Sequence, residues 1–203
     1  MLYRLDADAA AIATWFGVNC GDDPWAGGTI APGHFAPVLT TGREFVAGPR
    51  GDRQPLRMVP RLWGVPPPPA ANDPGRGVLT VRNPDSPFWI GNLRNSEFRC
   101  LIPATAFMEW GDGLDVEGRR MRHWFAPADQ PVFAFAGVWK DSDVPGFAIL
   151  SCPSGAPLRA VGRDTMPAIL PGDPQAWETW LRADWARASA LLTPYPDSLM
   201  LER

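Results

Sequence analysis

The run from Glu97 to Trp110, Glu-Phe-Arg-Cys-Leu-Ile-Pro-Ala-Thr-Ala-Phe-Met-Glu-Trp, constrains this chain more than any other stretch. It holds two apolar runs, Cys100-Leu101-Ile102 and Ala106-Phe107-Met108, separated at Pro103. Both are short and bounded by turn formers, so they read as core strands rather than as a helix. One charge, Glu109, follows the second run, between Met108 and Trp110. A carboxylate there is either exposed at a strand end or held in an apolar pocket with a raised pKa.

The rest of the chain supports a strand-rich reading. It has 24 Pro and 10 Trp but only two Tyr. Many prolines between short apolar runs favour strands and long loops over a helical bundle. The segments Val38 to Thr40, Glu44 to Ala47, Leu56 to Trp63, Leu79 to Arg82, Met121 to Ala126, Val132 to Trp139 and Phe147 to Cys152 are expected to be extended. Asn19 to Pro37 reads as an extended loop, Asn72 to Gly77 as a second loop, and Gly111-Asp112-Gly113 as a turn. Pro66 to Pro69 reads as a stiff surface connector rather than a partner's ligand. Met166 to Leu170 is a brief apolar stretch.

Three helices are expected. The first runs from Asp6 to Phe16, with Asp6 as N-cap, Gly17 as stop and Ile12, Trp15 and Phe16 on its buried face. Asp173-Pro174 opens the second, in which Trp177, Trp180 and Leu181 fall on one stripe at i, i+3 and i+4. A third spans about Asp184 to Leu192. No repeat or composition step divides the chain, and 203 residues suffice for one α+β domain over 1–203.

Charge and cysteine content narrow the function. A net charge of -3 argues against a broadly basic surface for duplex DNA, although a local basic groove remains open. Of the nineteen basic residues, Lys140 alone is lysine. Arginine suits bidentate phosphate contacts and stacking on bases, and a GC-rich genome also encodes it. Cys20, Cys100 and Cys152 are odd in number and widely spaced, which indicates neither a disulfide framework nor a zinc site. With only His34 and His123 besides, no metal and no cofactor is expected. The start lacks a signal-peptide pattern and no apolar run approaches a membrane span, so a cytoplasmic monomer is expected. No dinucleotide, P-loop, HExxH or GxSxG pattern occurs. Cys152, between Ser151 and Pro153, has no nearby His, which gives little support to a Cys–His nucleophile.

The string Phe98-Arg99-Cys100-Leu101-Ile102-Pro103-Ala104-Thr105-Ala106-Phe107-Met108-Glu109-Trp110 resembles the signature of the SOS-response-associated peptidases, or abasic-site processing proteins. Matching segments follow in the family's order. They are Tyr3-Arg4-Leu5, Arg61 to Pro66, Thr80-Val81-Arg82-Asn83 with Ser86-Pro87-Phe88-Trp89, Phe133 to Trp139, and Met166 to Leu170 ahead of Trp180-Leu181. The resemblance implies an α+β fold with a mostly antiparallel, β-barrel-like core flanked by a few helices, and a groove for single-stranded DNA. It also implies a chemistry. An N-terminal Cys, exposed by Met removal, condenses with the aldehyde of an abasic site and closes a thiazolidine. An Asn, the Glu of the signature and a His assist.

Carried over residue by residue, the resemblance places the site at Met1, Thr80, Glu109 and Gly162, and only Glu109 keeps the family's residue type. The family's relevant branch begins Met-Cys-Asn-Leu-Tyr-Arg-Leu, whereas this chain begins Met1-Leu2-Tyr3-Arg4-Leu5. Thr80 stands at the Asn position. Gly162 stands at the His position, or Arg163 does if the loop differs by one residue. A start placed too late would account for the missing Cys but not for Thr80 and Gly162. Leu2 is too bulky for ordinary Met removal, so the terminal amine belongs to Met1, a thioether. The expectation is a degenerate member that binds single-stranded or abasic DNA without cross-linking. Arg4, Arg82 and Arg163 would meet phosphates, and Trp63 and Trp110 would offer apolar or stacking surface. The alternatives are an abasic-site lyase using the Met1 amine, a peptidase-like enzyme, and a protein-interaction module that has lost DNA.

Overall fold

A computed structural model describes residues 1–42, 55–68 and 77–203. The strand expected at 44–47, the last residue of the proline run and all but the end of the 72–77 loop lie outside the described residues. In chain order the elements are β1 (Leu2–Leu5), α1 (Ala9–Phe16), β2 (Gly28–Ile30), β3 (Phe35–Thr40), β4 (Arg57–Trp63), β5 (Thr80–Val81), α2 (Ile90–Arg94), β6 (Arg99–Ala104), β7 (Ala106–Leu114), β8 (Arg120–Pro127), β9 (Phe133–Lys140), β10 (Gly146–Pro153), α3 (Ala156–Ala160), β11 (Thr165–Pro167), α4 (Pro174–Arg182), α5 (Trp185–Ser189) and β12 (Met200–Glu202).

Two sheets form the core. One is antiparallel throughout, in the order β12-β8-β7-β1-β2. The other runs β11-β10-β4-β3-β6-β9, and β9 pairs back onto β10, which closes a five-stranded ring. Closure removes the free edges that an open sheet would expose. This is an α+β fold with a mostly antiparallel, barrel-like core. Among the described strands, β4 and β5 run parallel to β10, one after the other along it. Close approach of backbones permits this: a Cβ on Gly146 would stand 2.3 Å from the Gly64 carbonyl oxygen.

Aromatic rings join the two sheets. Tyr3 of β1 meets Trp63 of β4 at 5.1 Å and Phe135 of β9 at 5.8 Å, both edge-on. Phe107 of β7 meets Phe135 at 5.8 Å. All four rings are fully buried, so apolar area and ring geometry act together.

Local signals located α1, α4 and α5, although α5 is shorter than expected, and gave no sign of the short helices α2 and α3. In α4, Asp173 caps through Ala176 N–H at 2.8 Å, Pro174 opens the first turn, and Trp177, Trp180 and Leu181 are buried as the spacing predicts. Asp184 caps α5 in the same way. For α1 the cap is Asp8 rather than Asp6, with Ala11 N–H donating at 2.8 Å. Asp6 is otherwise engaged: its N–H and its carboxylate both bond the Thr105 hydroxyl, at 3.1 and 3.2 Å. The buried face of α1 is Ala9, Ile12 and Phe16, and Trp15 turns outward.

Three strand expectations need correction. The supposed loop from Asn19 to Pro37 contains β2 and the start of β3. Pro103 does not interrupt β6. Pairing with β3 reaches only Leu101, so beyond it one edge of β6 lacks a ladder partner, and a residue without N–H is tolerated there. Gly111-Asp112-Gly113 does not turn the chain either. β7 continues to Leu114 with a register irregularity after Trp110, and the turn falls at Asp115 to Gly118. Among the described residues, no helix is long and apolar enough to cross a membrane.

Candidate functional site

Strand register assembles the site. β1 pairs with β7 as Leu2 with Met108 and Tyr3 with Phe107. One further step brings Met1 alongside Glu109. Tyr3 and Phe107 face the core, so alternation directs Met1 and Glu109 to the same face at its rim. β5 is held against β10 by the pairing of Thr80 with Ile149, and Ser151 Oγ donates to the Val81 carbonyl at 3.0 Å. This sets Thr80 and the following Arg82 beside the end of β10. The segment after α3 contributes Arg163. Its Nη2 donates to the Trp110 carbonyl, and its Nε lies 3.9 Å from Glu109 Oε2.

Met1, Thr80, Arg82, Glu109, Ser151 and Arg163 thus line one cavity of about 300 Å³. The Glu109 side chain is only 16% accessible. Burial raises its carboxyl above the usual range, and the Met1 α-amine, Arg163 and Arg82 pull in the opposite direction without cancelling the shift. The arrangement is a carboxyl with a raised pKa beside the Arg82 and Arg163 guanidinium groups and the Thr80 and Ser151 hydroxyls. It can bind an anion and deliver a proton to an oxygen next to it.

Gly162, Arg4 and Trp110 are not gathered here. Gly162 precedes Arg163 but is turned away: its φ is +79°, and a Cβ on it would stand 1.9 Å from Asp112 Oδ2. Trp63 borders the cavity, yet its side chain is packed in the core and its indole N–H donates to the Leu79 carbonyl at 3.2 Å. It offers no free face for stacking. Trp110 and Arg4 point to the other face of the sheet by the same alternation. There Arg4 lies 4.3 Å over Trp124, and Arg122 lies 5.4 Å over Trp110. Trp110 lines a separate, larger cavity of about 780 Å³ with Arg119, Arg120 and Arg122. Sequence reasoning missed Ser151 as a residue of the Glu109 cavity.

The Cys100 and Cys152 thiols are not candidate nucleophiles. Cys100 and Cys152 are buried; burial pushes Cys152 up to about 11 and Cys100 further still. Among the described residues, no group of three or more His, Cys, Asp and Glu side chains is arranged to hold a metal ion.

The Glu109 shift predicts a stability effect. A carboxyl whose pKa is raised on folding stabilises the protein at low pH, and that contribution is lost as pH rises through the folded value. Glu109→Gln should therefore melt higher than the parent at neutral pH. The difference should vanish below about pH 4, where the unfolded carboxyl is also protonated. Thermal melts across that range check this, and a lower melting temperature for the variant at neutral pH would contradict it.

The fold matches solved structures along almost its whole length. A protein from Bacteroides thetaiotaomicron superposes with a TM-score of 0.75 at 18% identity, covering 99% of this chain and 90% of that one. A Bordetella bronchiseptica protein gives 0.75 at 18%, covering 99% and 97%. A phage-related protein of the same organism gives 0.71 at 16%, covering 100% and 92%. At these identities the likeness establishes fold alone. No curated protein matches the chain. The family pattern described as "SOS response associated peptidase (SRAP)" matches residues 3–202, a span that includes both sheets and every cavity residue except Met1. On that match the chain belongs to the SOS response associated peptidase family.

Proposed function

We propose that this chain binds single-stranded DNA across the cavity around Glu109 and receives the open sugar of an abasic site there without closing a thiazolidine. The observation that carries the reading is the convergence of Met1, Arg82, Arg163 and Glu109, whose carboxyl burial raises, on one cavity. Arg82 and Arg163 are suited to the phosphates flanking a missing base, because a guanidinium fork matches phosphate oxygens. The sugar aldehyde would then lie between Glu109 and an α-amine at Met1. Attack by the amine gives a carbinolamine. Proton transfer from Glu109 lets its hydroxyl leave as water, which gives a protonated imine and the Glu109 carboxylate; return of the N–H proton to that carboxylate leaves the neutral imine. In protein that begins at Met1, the thioether cannot add to that imine, so the adduct stays reversible.

Fluorescence anisotropy with a labelled single-stranded oligonucleotide tests the binding step. Affinity should fall as salt rises, through counterion release. Arg82→Ala should weaken all sequences about equally and reduce the slope of log affinity against log salt by about 0.7, the share of one phosphate contact on a single strand. An unbound oligonucleotide at low salt, or an Arg82→Ala variant that binds as well as the parent, would overturn the reading.

A further inference from the structure

The sheet ordered β12-β8-β7-β1-β2 leaves part of one edge open. β12 pairs with β8 from Met200 with Pro127 to Glu202 with Phe125, and the next N–H, of Arg203, donates to the Trp124 carbonyl at 2.8 Å. Along a strand of an antiparallel ladder, the backbone groups of alternate residues point to the same side. Those of Trp124 point towards β12, so those of Arg122 and Arg120 do as well, beyond the point where β12 stops. On the other side β8 is paired with β7 as far as Arg120. Among the described residues no strand covers the outer side of Arg120 and Arg122. Their N–H and C=O groups, in extended register, are open to a further backbone.

The side chains beside this edge are cationic. Arg120, Arg122 and Trp124 alternate onto the outer face of the sheet, where Arg4 covers Trp124 and Arg122 covers Trp110. Arg4 and Arg122 are exposed, and neither has a carboxylate within ion-pair distance among the described residues. The neighbouring acids are held by other arginines: Asp115 and Glu117 by Arg119 at 3.0 and 2.6 Å, and Asp112 by Arg120 at 3.9 Å. Arg122 acts on Asp115 only at longer range. Met121, between the two edge arginines, is itself exposed. These features select among occupants. A nucleic-acid backbone has no N–H to give to the outward carbonyls, and those carbonyls repel its phosphates. A second copy laid antiparallel on the same edge would set arginine against arginine, which is destabilising. An acidic peptide in extended form satisfies both the backbone groups and the charge.

We propose that an extended acidic segment of a partner protein adds to the sheet at this edge, antiparallel to β8 and in line with β12. Directly opposed residues of an antiparallel pair share a face. The segment's residues opposite Arg122 and Arg120 therefore lie on the outer face, where carboxylates meet the two guanidinium groups. The residue between them points to the other face, beside Met121, and is apolar. Main-chain bonds supply the affinity of such strand addition, and the alternating side chains supply its specificity. The same arginines keep the edge from pairing with like-charged copies of itself, as charged edge residues do in other sheets. The surface is independent of the DNA reading of the Glu109 cavity.

The test is fluorescence anisotropy of the full chain with a labelled peptide of alternating Glu and Val, and with a matching peptide of alternating Lys and Val. The Glu-Val peptide should bind and weaken as salt rises, because the paired charges are exposed; the Lys-Val peptide should not bind. Arg122→Glu should weaken binding roughly tenfold, since one cross-strand attraction becomes a repulsion. Arg122→Pro should weaken it more than Arg122→Ala does. Both lose the charge, but only Pro loses the outward N–H, and Pro is tolerated on a strand edge that faces solvent. Amide exchange read by NMR follows the same pairing without a substitution: the Arg120 and Arg122 amides of the parent should slow when the Glu-Val peptide is bound. Four results would each overturn the proposal: no binding at low salt, equal binding of the two peptides, unchanged exchange at both amides, and displacement of the bound peptide by a single-stranded oligonucleotide.

Discussion

Protein produced from Met1, with its N-terminus verified by mass spectrometry, should form no heat-stable cross-link to abasic single-stranded DNA, and borohydride should reveal a trapped adduct. A thiazolidine needs an amine and a thiol on one residue, as only a terminal Cys supplies. Cys20, Cys100 and Cys152 have their nitrogens in peptide bonds, and the latter two thiols are buried. An amine at Met1 can only make an imine with the aldehyde, and heat reverses it. Hydride addition to the imine carbon gives a secondary amine that survives. Glu109→Gln should slow the trapped adduct roughly a hundredfold, the lower end of the usual contribution of a positioned acid. Inserting Cys-Asn after Met1 should convert the adduct to the heat-stable form. A heat-stable band from the unmodified protein on a denaturing gel would overturn the proposed function.

Restoring a histidine at position 162 should not help by itself. The backbone there has φ +79°, which costs a non-glycine residue about 1–3 kcal/mol, and Asp112 occupies the Cβ direction. Gly162→His should destabilise the protein. Combining it with Asp112→Gly should relieve the clash but not the backbone strain. These site residues act together, so gains should be non-additive and should depend on the inserted Cys.

Trp180→Ala should cost about 3–5 kcal/mol of unfolding free energy, the usual range for a large buried aromatic. Trp180 is fully buried where α4 meets β6, and its indole N–H donates to the Cys100 carbonyl at 2.9 Å. Truncation leaves a cavity and removes that hydrogen bond. The same region holds the fully buried Arg99, whose Nη2 donates to the Ala183 carbonyl and whose guanidinium lies 5.8 Å from the Trp180 ring. Burial lowers that guanidinium to about 10, with Asp184 opposing the shift, so the Trp180 cavity would admit water beside a costly buried cation. Native domains are stable by about 5–15 kcal/mol, so a large share of the total is at stake. Trp180→Phe, which keeps most of the ring, should recover more than half of the loss. Urea unfolding checks both variants, and a midpoint near the parent's for Trp180→Ala would show that α4 is not anchored at this point.

The sequence by itself determined the features whose cause is local. Asp173-Pro174 and the Trp177, Trp180, Leu181 spacing specify α4, because a cap and a 3.6-residue stripe act within a few residues. The apolar runs at 133–139 and 147–152 specify β9 and β10 for a similar reason. The run from Arg99 to Trp110 carried the family and the one carboxylate of the cavity. The tertiary structure decided what depends on a partner strand. Pro103 lies within a strand because the β3 ladder ends before it, and Gly111 continues β7 because an imidazole from β8 fills its Cβ space. Only the pairing of β1 with β7 brings Met1 to Glu109, and only the segment after α3 adds Arg163. Whether Glu109 is a solvated strand-end charge or a buried acid therefore depended on these long-range contacts. Desolvation is set by whatever surrounds a group in space, and that is not encoded in the residues beside it in the chain.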